Sequence, residues 1–130
     1  MKKITGLLID VNNEKTSVAT ISASLHAYYE LLSVDIIDIQ VRKIGAYRGR
    51  KYAIICDDEG LLKSLPKISA IDNMGNPMFV GNLFVVRDGK NGEMDSLEQD
   101  DIDYLKRFIH MQGTMRYPKP YPMLHQVEYV

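Results

Sequence analysis

Seven residues between Arg42 and Tyr52 have side chains suited to binding a negatively charged ligand. They are five cations and two tyrosines: Arg42, Lys43, Tyr47, Arg48, Arg50, Lys51 and Tyr52. No acidic residue interrupts the segment, and Gly45 and Gly49 allow close approach of the backbone to a ligand. Arginine forks match phosphate oxygens, and tyrosine rings can stack on a base. The segment therefore predicts a site for a nucleotide, a phosphodiester or an acidic protein surface. The alternative is a solvated hairpin tip whose charges keep a strand edge soluble.

Two runs of carboxylates are the other charged feature. Six acidic residues lie between Glu93 and Asp103, and the run lacks the alternating ligands and central glycine of a calcium loop. Its position at a predicted helix start accounts for it as compensation of the helix dipole. The second run, residues 57–59, falls in a predicted turn, where adjacent aspartates serve turn chemistry. Neither run predicts a metal site or a catalytic acid/base pair.

Nucleophile and metal-ligand motifs are missing from the sequence. Cys56 is the single cysteine; it lies in an apolar run and is followed by three carboxylates, which raise a thiol pKa. His26, His110 and His125 match no ligand spacing. There is no nucleophile elbow, phosphate-binding loop or dinucleotide fingerprint. The sequence thus favours a protein that is not an enzyme, without cofactor or metal.

The last residues predict an interaction segment. Pro118, Pro120 and Pro122 alternate along the chain, which excludes a helix and favours an extended polyproline segment. Three tyrosines accompany them, and tyrosine is favoured at binding surfaces: Tyr117, Tyr121 and Tyr129. We expect this segment either to pack back as an edge strand or to lie across a second copy and form a homodimer.

Two helices are expected. The first begins near Leu25, with Ser22 and Ser24 as alternative caps. The second begins at Ser96, which forms a capping box with Gln99, and it continues until Gly113 ends it. Its predicted buried stripe comprises Ile102, Leu105, Phe108 and Ile109.

Alternating and β-branched stretches elsewhere predict the sheet that must position these residues. They indicate an α+β fold with a mostly antiparallel sheet of about five to six strands and two helices, plus an extended Pro/Tyr-rich C-terminal tail. The basic segment would form the tip of a hairpin. We assign residues 1–113 to a single domain and residues 114–130 to the tail or arm.

Composition restricts the classes of partner. The net charge of −1 over 130 residues does not favour nucleic-acid binding, and no apolar run is long enough for a membrane span. The apolar stretch near the N-terminus is too short for a signal peptide and is interrupted by Asp10. A cytoplasmic protein is expected.

Three short patterns resemble a known family. They are YAIICDDEGL at 52–61, GNLFVV at 81–86 and the helix begun by Ser96 and Leu97. In this order they are similar to small bacterial and phage domains of unknown function, over about residues 3–110. That family occurs on conjugative elements and phages, often near antirestriction genes. The resemblance implies a fold and a genomic neighbourhood, but no catalytic residues.

The resemblance and the residues together lead to one hypothesis and one alternative. The hypothesis is a non-catalytic accessory protein of a mobile element or phage with an anti-defence role. It would act by binding a host protein or by sequestering a phosphorylated, nucleotide-type ligand. The alternative is an enzyme that acts on nucleotides or nucleic acid through an unrecognised site.

Overall fold

The computed structural model describes residues 2–45, 50–60 and 66–130. Two α-helices and eleven strands lie in these ranges, and none of the described helices is long and apolar enough to cross a membrane. In chain order the elements are β1 (Lys3–Asp10), β2 (Lys15–Ser22), α1 (Leu25–Leu32), β3 (Ile37–Ile44), β4 (Tyr52–Asp57), β5 (Ile68–Ile71), β6 (Pro77–Val80), β7 (Leu83–Asp88), β8 (Met94–Asp95), α2 (Gln99–Lys106), β9 (Ile109–Gln112), β10 (Tyr121–Leu124) and β11 (Val127–Tyr129).

The strands form two sheets. The first has seven strands, in the order β11-β3-β4-β7-β1-β2 with β8 added beside β7. The second has four, in the order β6-β5-β10-β9. Every pair is antiparallel except β5 with β10. The predicted α+β class with a mostly antiparallel sheet and two helices is confirmed. The predicted strand number was too low, because the second sheet is built from short strands that lie far apart in sequence.

The central strands of the first sheet are covered on both faces. Side chains alternate across a strand, so neighbouring residues of β1, β4 and β7 enter two separate cores. One core faces the second sheet and α2, and it includes Leu7, Ile54 and Val85. The other lies under α1 and includes Leu8, Ile55 and Phe84. Burial on both faces explains why these strands read as continuous apolar runs.

The start of α1 is one of the two predicted alternatives. Ser24 is the N-cap, and its hydroxyl oxygen accepts a hydrogen bond from the backbone N–H of Ala27 at 3.2 Å. Tyr28 and Leu32 form the buried face of the helix. The helix ends at Ser33, whose φ of 56° is left-handed. A polar cap and an apolar spacing thus place this helix on the sheet.

The predicted cap of α2 is wrong. The N-cap is Glu98, whose side chain and backbone form a reciprocal capping box with Asp101. Ser96 lies before the helix, and its hydroxyl oxygen accepts a hydrogen bond from the backbone N–H of Thr5 at 2.9 Å. The serine is therefore engaged by strand β1, a partner that local sequence spacing does not reveal.

The predicted end of α2 is also wrong. The helix stops at Lys106 instead of Gly113, and residues 109–112 form β9. Strand β9 pairs with β10 in register, with Ile109 opposite Leu124. The apolar residues Phe108 and Ile109 are compatible with either a helix or a strand. Pairing with β10, which is distant in sequence, selects the strand conformation from Ile109 onward.

The segment 114–130, predicted as an extended tail, begins with a turn in which Thr114 and Tyr117 exchange hydrogen bonds, and it continues as β10 and β11. These two strands belong to the two sheets. Strand β10 lies between β5 and β9, and β11 pairs with the edge of β3. The side chains of Tyr121, Met123 and Leu124 are fully buried. The prolines thus prevent a helix, and the apolar residues from Tyr121 to Leu124 carry the segment into the core.

Candidate functional site

Folding separates the cations of the basic segment. Arg42 lies on the face of β3 that is turned toward the second sheet, whereas the adjacent Lys43 alternates to the other face. Lys43 stands opposite Glu128 of β11. Lys51 is exposed next to β4. The predicted ligand-binding residues Tyr47 and Arg48 lie outside the described residues.

Arg50 and Tyr52 hold the first turn of α2. Arg50 donates from Nη1 to Oδ1 of Asp101 at 2.6 Å and from Nη2 to Oδ2 of Asp100 at 2.9 Å. The hydroxyl of Tyr52 donates to the same Asp101 oxygen at 3.1 Å. The other Asp101 oxygen accepts the backbone N–H of Glu98 at 2.9 Å. These four residues around Asp101 are called the Asp101 network below.

The electrostatics of the Asp101 network follow from burial and charge pairing. Asp101 is fully buried, so its charge depends on the surrounding donors. The hydrogen bond with Asp100 is the largest cause that raises the pKa of Arg50, and the same bond lowers the pKa of Asp100. Burial, followed by the charge of Asp101, raises the pKa of Tyr52 to about 12. Arg50 and Tyr52 are therefore committed to internal contacts.

A cleft of about 450 Å³ opens between β3 and β6, and we name it the β3/β6 cleft. One wall is the face of β3 and the end of β4, and the other wall is β6, with Tyr129 of β11 at the rim. Its lining residues are Asp38, Gln40, Arg42, Cys56, Asp57, Asp58, Pro77, Met78, Phe79, Val80 and Tyr129. Of the predicted site residues that are described, two line this cleft: Arg42 and Tyr129.

Arg42 is held within the β3/β6 cleft by two rings and by its own strand. Its guanidinium carbon lies 4.5 Å from the ring centroid of Tyr129 and 5.3 Å from that of Phe79. Nη1 donates to the carbonyl oxygen of Val41 at 2.9 Å, and Nη2 donates to Oε1 of Gln40. Such cation–π contacts favour a fixed, partly desolvated arginine.

Carboxylates outnumber cations among the lining residues of the cleft. Asp38 accepts a hydrogen bond from Nε2 of Gln40. Asp57 accepts the backbone N–H of Glu59 at 2.9 Å, as predicted for turn chemistry, and Asp58 is exposed. With Asp38, Asp57 and Asp58 against Arg42, the lining has a formal charge of −3 + 1 = −2. The cleft is therefore more favourable for a cation than for a phosphate.

The same carboxylates act on Cys56, which lines the inner end of the cleft. Burial is the largest cause that raises its pKa to about 12, followed by the charges of Asp38, Asp57 and Asp58. The thiol contacts the carbonyl oxygen of Asp38, with a sulfur-to-oxygen distance of 3.6 Å. A protonated thiol is a poor nucleophile.

We expect the native protein to resist alkylation at Cys56. Because burial and the neighbouring carboxylates raise its pKa to about 12, well above the ordinary value of 9.0, very little of the thiol is ionised at pH 8. Iodoacetamide labelling followed by intact mass should show almost no adduct in the native state. Rapid labelling in urea is the control. Native labelling as fast as that of the unfolded chain would contradict this assignment.

The three predicted partner-binding tyrosines have different environments. Tyr121 is fully buried in the core between the sheets. Tyr117 is half-buried, with Nζ of Lys67 at 5.1 Å from its ring centroid. Tyr129 is 72% exposed at the rim of the cleft. Tyr129 thus has the surface that a partner would contact.

The structure brings together two groups of residues that the sequence did not predict to be close. His110 and His125 lie far apart in sequence, yet their rings meet edge to face with centroids 4.7 Å apart. Burial, followed by the charge of His110, lowers the pKa of His125. Asp38 and Gln40 also join the candidate site without having been predicted. The signal for them was present, because every second residue of β3 up to Arg42 is polar.

No group of three or more metal-ligating side chains occurs within residues 2–45, 50–60 and 66–130. The acidic run before and within α2 is accounted for in part by Asp100 and Asp101, which contact Arg50. Asp101 also completes the capping box with Glu98. These contacts explain the local excess of carboxylates by helix capping and ion pairing.

The comparisons identify a family without assigning chemistry. The model of a domain of unknown function, DUF3846, matches residues 3–110, from β1 through α2 into β9. The matched region contains most of the β3/β6 cleft, whereas Tyr129 lies beyond it. No curated protein and no solved structure matches the chain. The match spans most of the sequence, and the chain therefore belongs to the DUF3846 family of domains of unknown function.

Proposed function

We propose that this protein is a non-catalytic binding protein that captures another protein, with the β3/β6 cleft receiving a basic side chain of that partner. The observation that carries this proposal is the composition of the cleft lining. Three carboxylates face one arginine, and that arginine is held by Gln40, Tyr129 and Phe79. A lysine or arginine of a partner would meet a negative potential and an aromatic rim, which favour cation binding.

The same geometry weighs against the phosphorylated ligand that the basic segment predicted. A phosphate needs convergent cations, whereas Arg50 is engaged with Asp100 and Asp101 and Lys43 lies on the opposite face of β3 from Arg42. A phosphate in the cleft would also approach Asp58 and its neighbours at a cost in repulsion. The protonated thiol of Cys56 supports a binding role over nucleophilic catalysis.

For the biological role, we propose a cytoplasmic accessory protein of a mobile element or phage with anti-defence action. The resemblance stated above supports this role, because such domains occur on conjugative elements and phages near antirestriction genes. Binding and blocking a host factor requires a surface and no active site. A cleft with charge complementarity to a basic host segment is such a surface.

The charge reversal Asp58→Lys tests the binding site. Asp58 is exposed at the cleft, so the change should leave the fold intact and weaken binding of lysine- or arginine-containing peptides at least about tenfold. Fluorescence anisotropy with a panel of such peptides and with common nucleotides measures both ligand classes. The matched control is Asp103→Lys, the same charge change on the exposed side of α2.

Two outcomes would contradict the proposal. If the protein binds a nucleotide and Asp58→Lys strengthens that binding, the cleft receives a phosphorylated ligand instead of a basic side chain. Loss of a nucleotide that continues at substoichiometric protein would indicate an enzyme.

For the biological role, wild-type protein should protect incoming DNA in a restricting host, and the Asp58→Lys variant should not.

A further inference from the structure

Strand β2 is the longest sheet edge among the described strands. It spans eight residues and ends the strand order of the first sheet. Four other edge strands have between two and four residues: β6, β8, β9 and β11. Strand β3 also has an open stretch, because β11 covers it only from Arg42 to Ile44 and leaves residues 37–41 open on that side. An edge strand has unpaired backbone N–H and C=O groups that can pair with another strand. A longer edge can form more of these hydrogen bonds.

Proline and a register shift, two of the usual protections of an edge strand, are missing from β2. Its sequence, KTSVATIS, contains no proline, and its eight residues pair with β1 without a register shift. Lys15, at one end, is its single charge. By comparison, β6 begins at Pro77 and its pairing with β5 shifts register. A long, regular, nearly uncharged and β-branched edge is the kind that natural proteins cover or pair.

The hydrogen bonds of β1 show which groups of β2 point outward. The backbone N–H of Thr5 donates to the hydroxyl oxygen of Ser96, and the carbonyl oxygen of Thr5 accepts from the N–H of Leu97. Both backbone groups of Thr5 therefore point away from β2. Thr5 and Thr20 therefore form a pair that exchanges no backbone bonds with each other, although their hydroxyls meet at 2.7 Å. Because the pattern alternates, Thr16, Val18 and Thr20 direct their N–H and C=O groups to the outer edge.

We propose that β2 is the subunit interface of a homodimer, in which two copies pair antiparallel with Val18 opposite Val18. This register places Thr16 of each copy opposite Thr20 of the other and forms about six backbone hydrogen bonds. It covers Val18, which is 49% exposed in the single chain. Lys15 then lies opposite Ile21 of the second copy, so no like charges meet.

The homodimer is independent of the proposed binding function. Strands β2 and β3 lie near opposite edges of the first sheet, so pairing through β2 leaves the β3/β6 cleft open. It also moves the dimer contact away from the C-terminal segment, whose strands already pair within the same chain. The dimer would present two clefts at the two ends of one continuous sheet.

Val18→Pro tests the register by removing one donor. Because the N–H of Val18 points outward, proline removes bonds to the second copy and none to β1, and it is tolerated on an edge strand. Sedimentation velocity across a concentration series should show a dimer for the wild type. The variant should raise the dissociation constant at least about tenfold. Val18→Thr is the control, since threonine keeps the N–H and the branched side chain.

A charge pair keeps the test valid if the proline variant fails to fold. Val18→Lys and Val18→Glu would each place like charges across the two-fold axis and give monomers. Mixing the two variants should restore a dimer, because opposite charges then face each other. A wild type that stays monomeric at high concentration would overturn the proposal. A dimer that none of the three variants weakens would place the interface elsewhere.

Discussion

The variant Asp101→Ala is expected to lower the free energy of unfolding by about 2–4 kcal/mol, the combined range for losing a helix cap and hydrogen bonds to a buried carboxylate. Asp101 is fully buried, and its two oxygens accept from Arg50, Tyr52 and the backbone of Glu98. Alanine leaves the Tyr52 hydroxyl without this acceptor in the core and removes the capping box of α2. Urea denaturation followed by circular dichroism measures the loss.

Asp103→Ala is the matched control for this prediction. Asp103 lies two residues further along α2 and is exposed, with a hydrogen bond from Gln99. Its removal should change the free energy of unfolding by no more than about 0.5 kcal/mol. Equal effects of the two alanine variants would show that the Asp101 network does not hold α2 to the sheet.

The second large effect is expected at the other end of the chain. Tyr121→Ala should cost about 3–5 kcal/mol, because it removes a fully buried ring from the core between the sheets and leaves a cavity. Tyr129→Ala is the same chemical change on β11, the next strand along the chain and a member of the other sheet. Since Tyr129 is 72% exposed, its removal should cost about 1 kcal/mol or less. Thermal and urea unfolding of both variants give the comparison.

The contrast between these tyrosines also separates stability from binding. Tyr129 lies at the rim of the β3/β6 cleft against Arg42, so Tyr129→Ala should weaken peptide binding while the protein stays folded. Near-equal unfolding free energies for the two variants would show that residues 114–130 are not part of the core. In that case the segment would behave as the separate tail that its prolines predict.

Much of the fold was predictable because it depends on neighbours in sequence. The alternation and β-branching of β1, β3 and β4 predict strands, and Ser24 followed by an apolar spacing predicts α1. Cys56 was expected to be an unreactive core thiol, and the raised pKa agrees with that expectation. These features need only the backbone periodicity and the nearest side chains.

The errors lie where a distant partner competes with a local pattern. Ser96 has the spacing of a helix cap, but β1 engages its hydroxyl from 91 residues away. Phe108 and Ile109 continue the apolar stripe of a helix, but β10 pairs with the residues that follow Phe108. The intrinsic helix and strand propensities of these residues differ by less free energy than the tertiary contacts contribute. The tertiary contacts therefore determine the secondary structure.

The basic segment shows the division most clearly. The sequence by itself determined that cations and tyrosines are concentrated between Arg42 and Tyr52. It also determined that strands and helices of an α+β fold flank this segment and that no recognisable catalytic motif accompanies it. The tertiary structure decided what each does. It directs Arg42 into an acidic cleft, turns Lys43 to the opposite face and pairs Arg50 with a buried carboxylate 51 residues away. Charge is a property of composition, but the field at a site depends on which charges the fold brings within a few ångströms of each other.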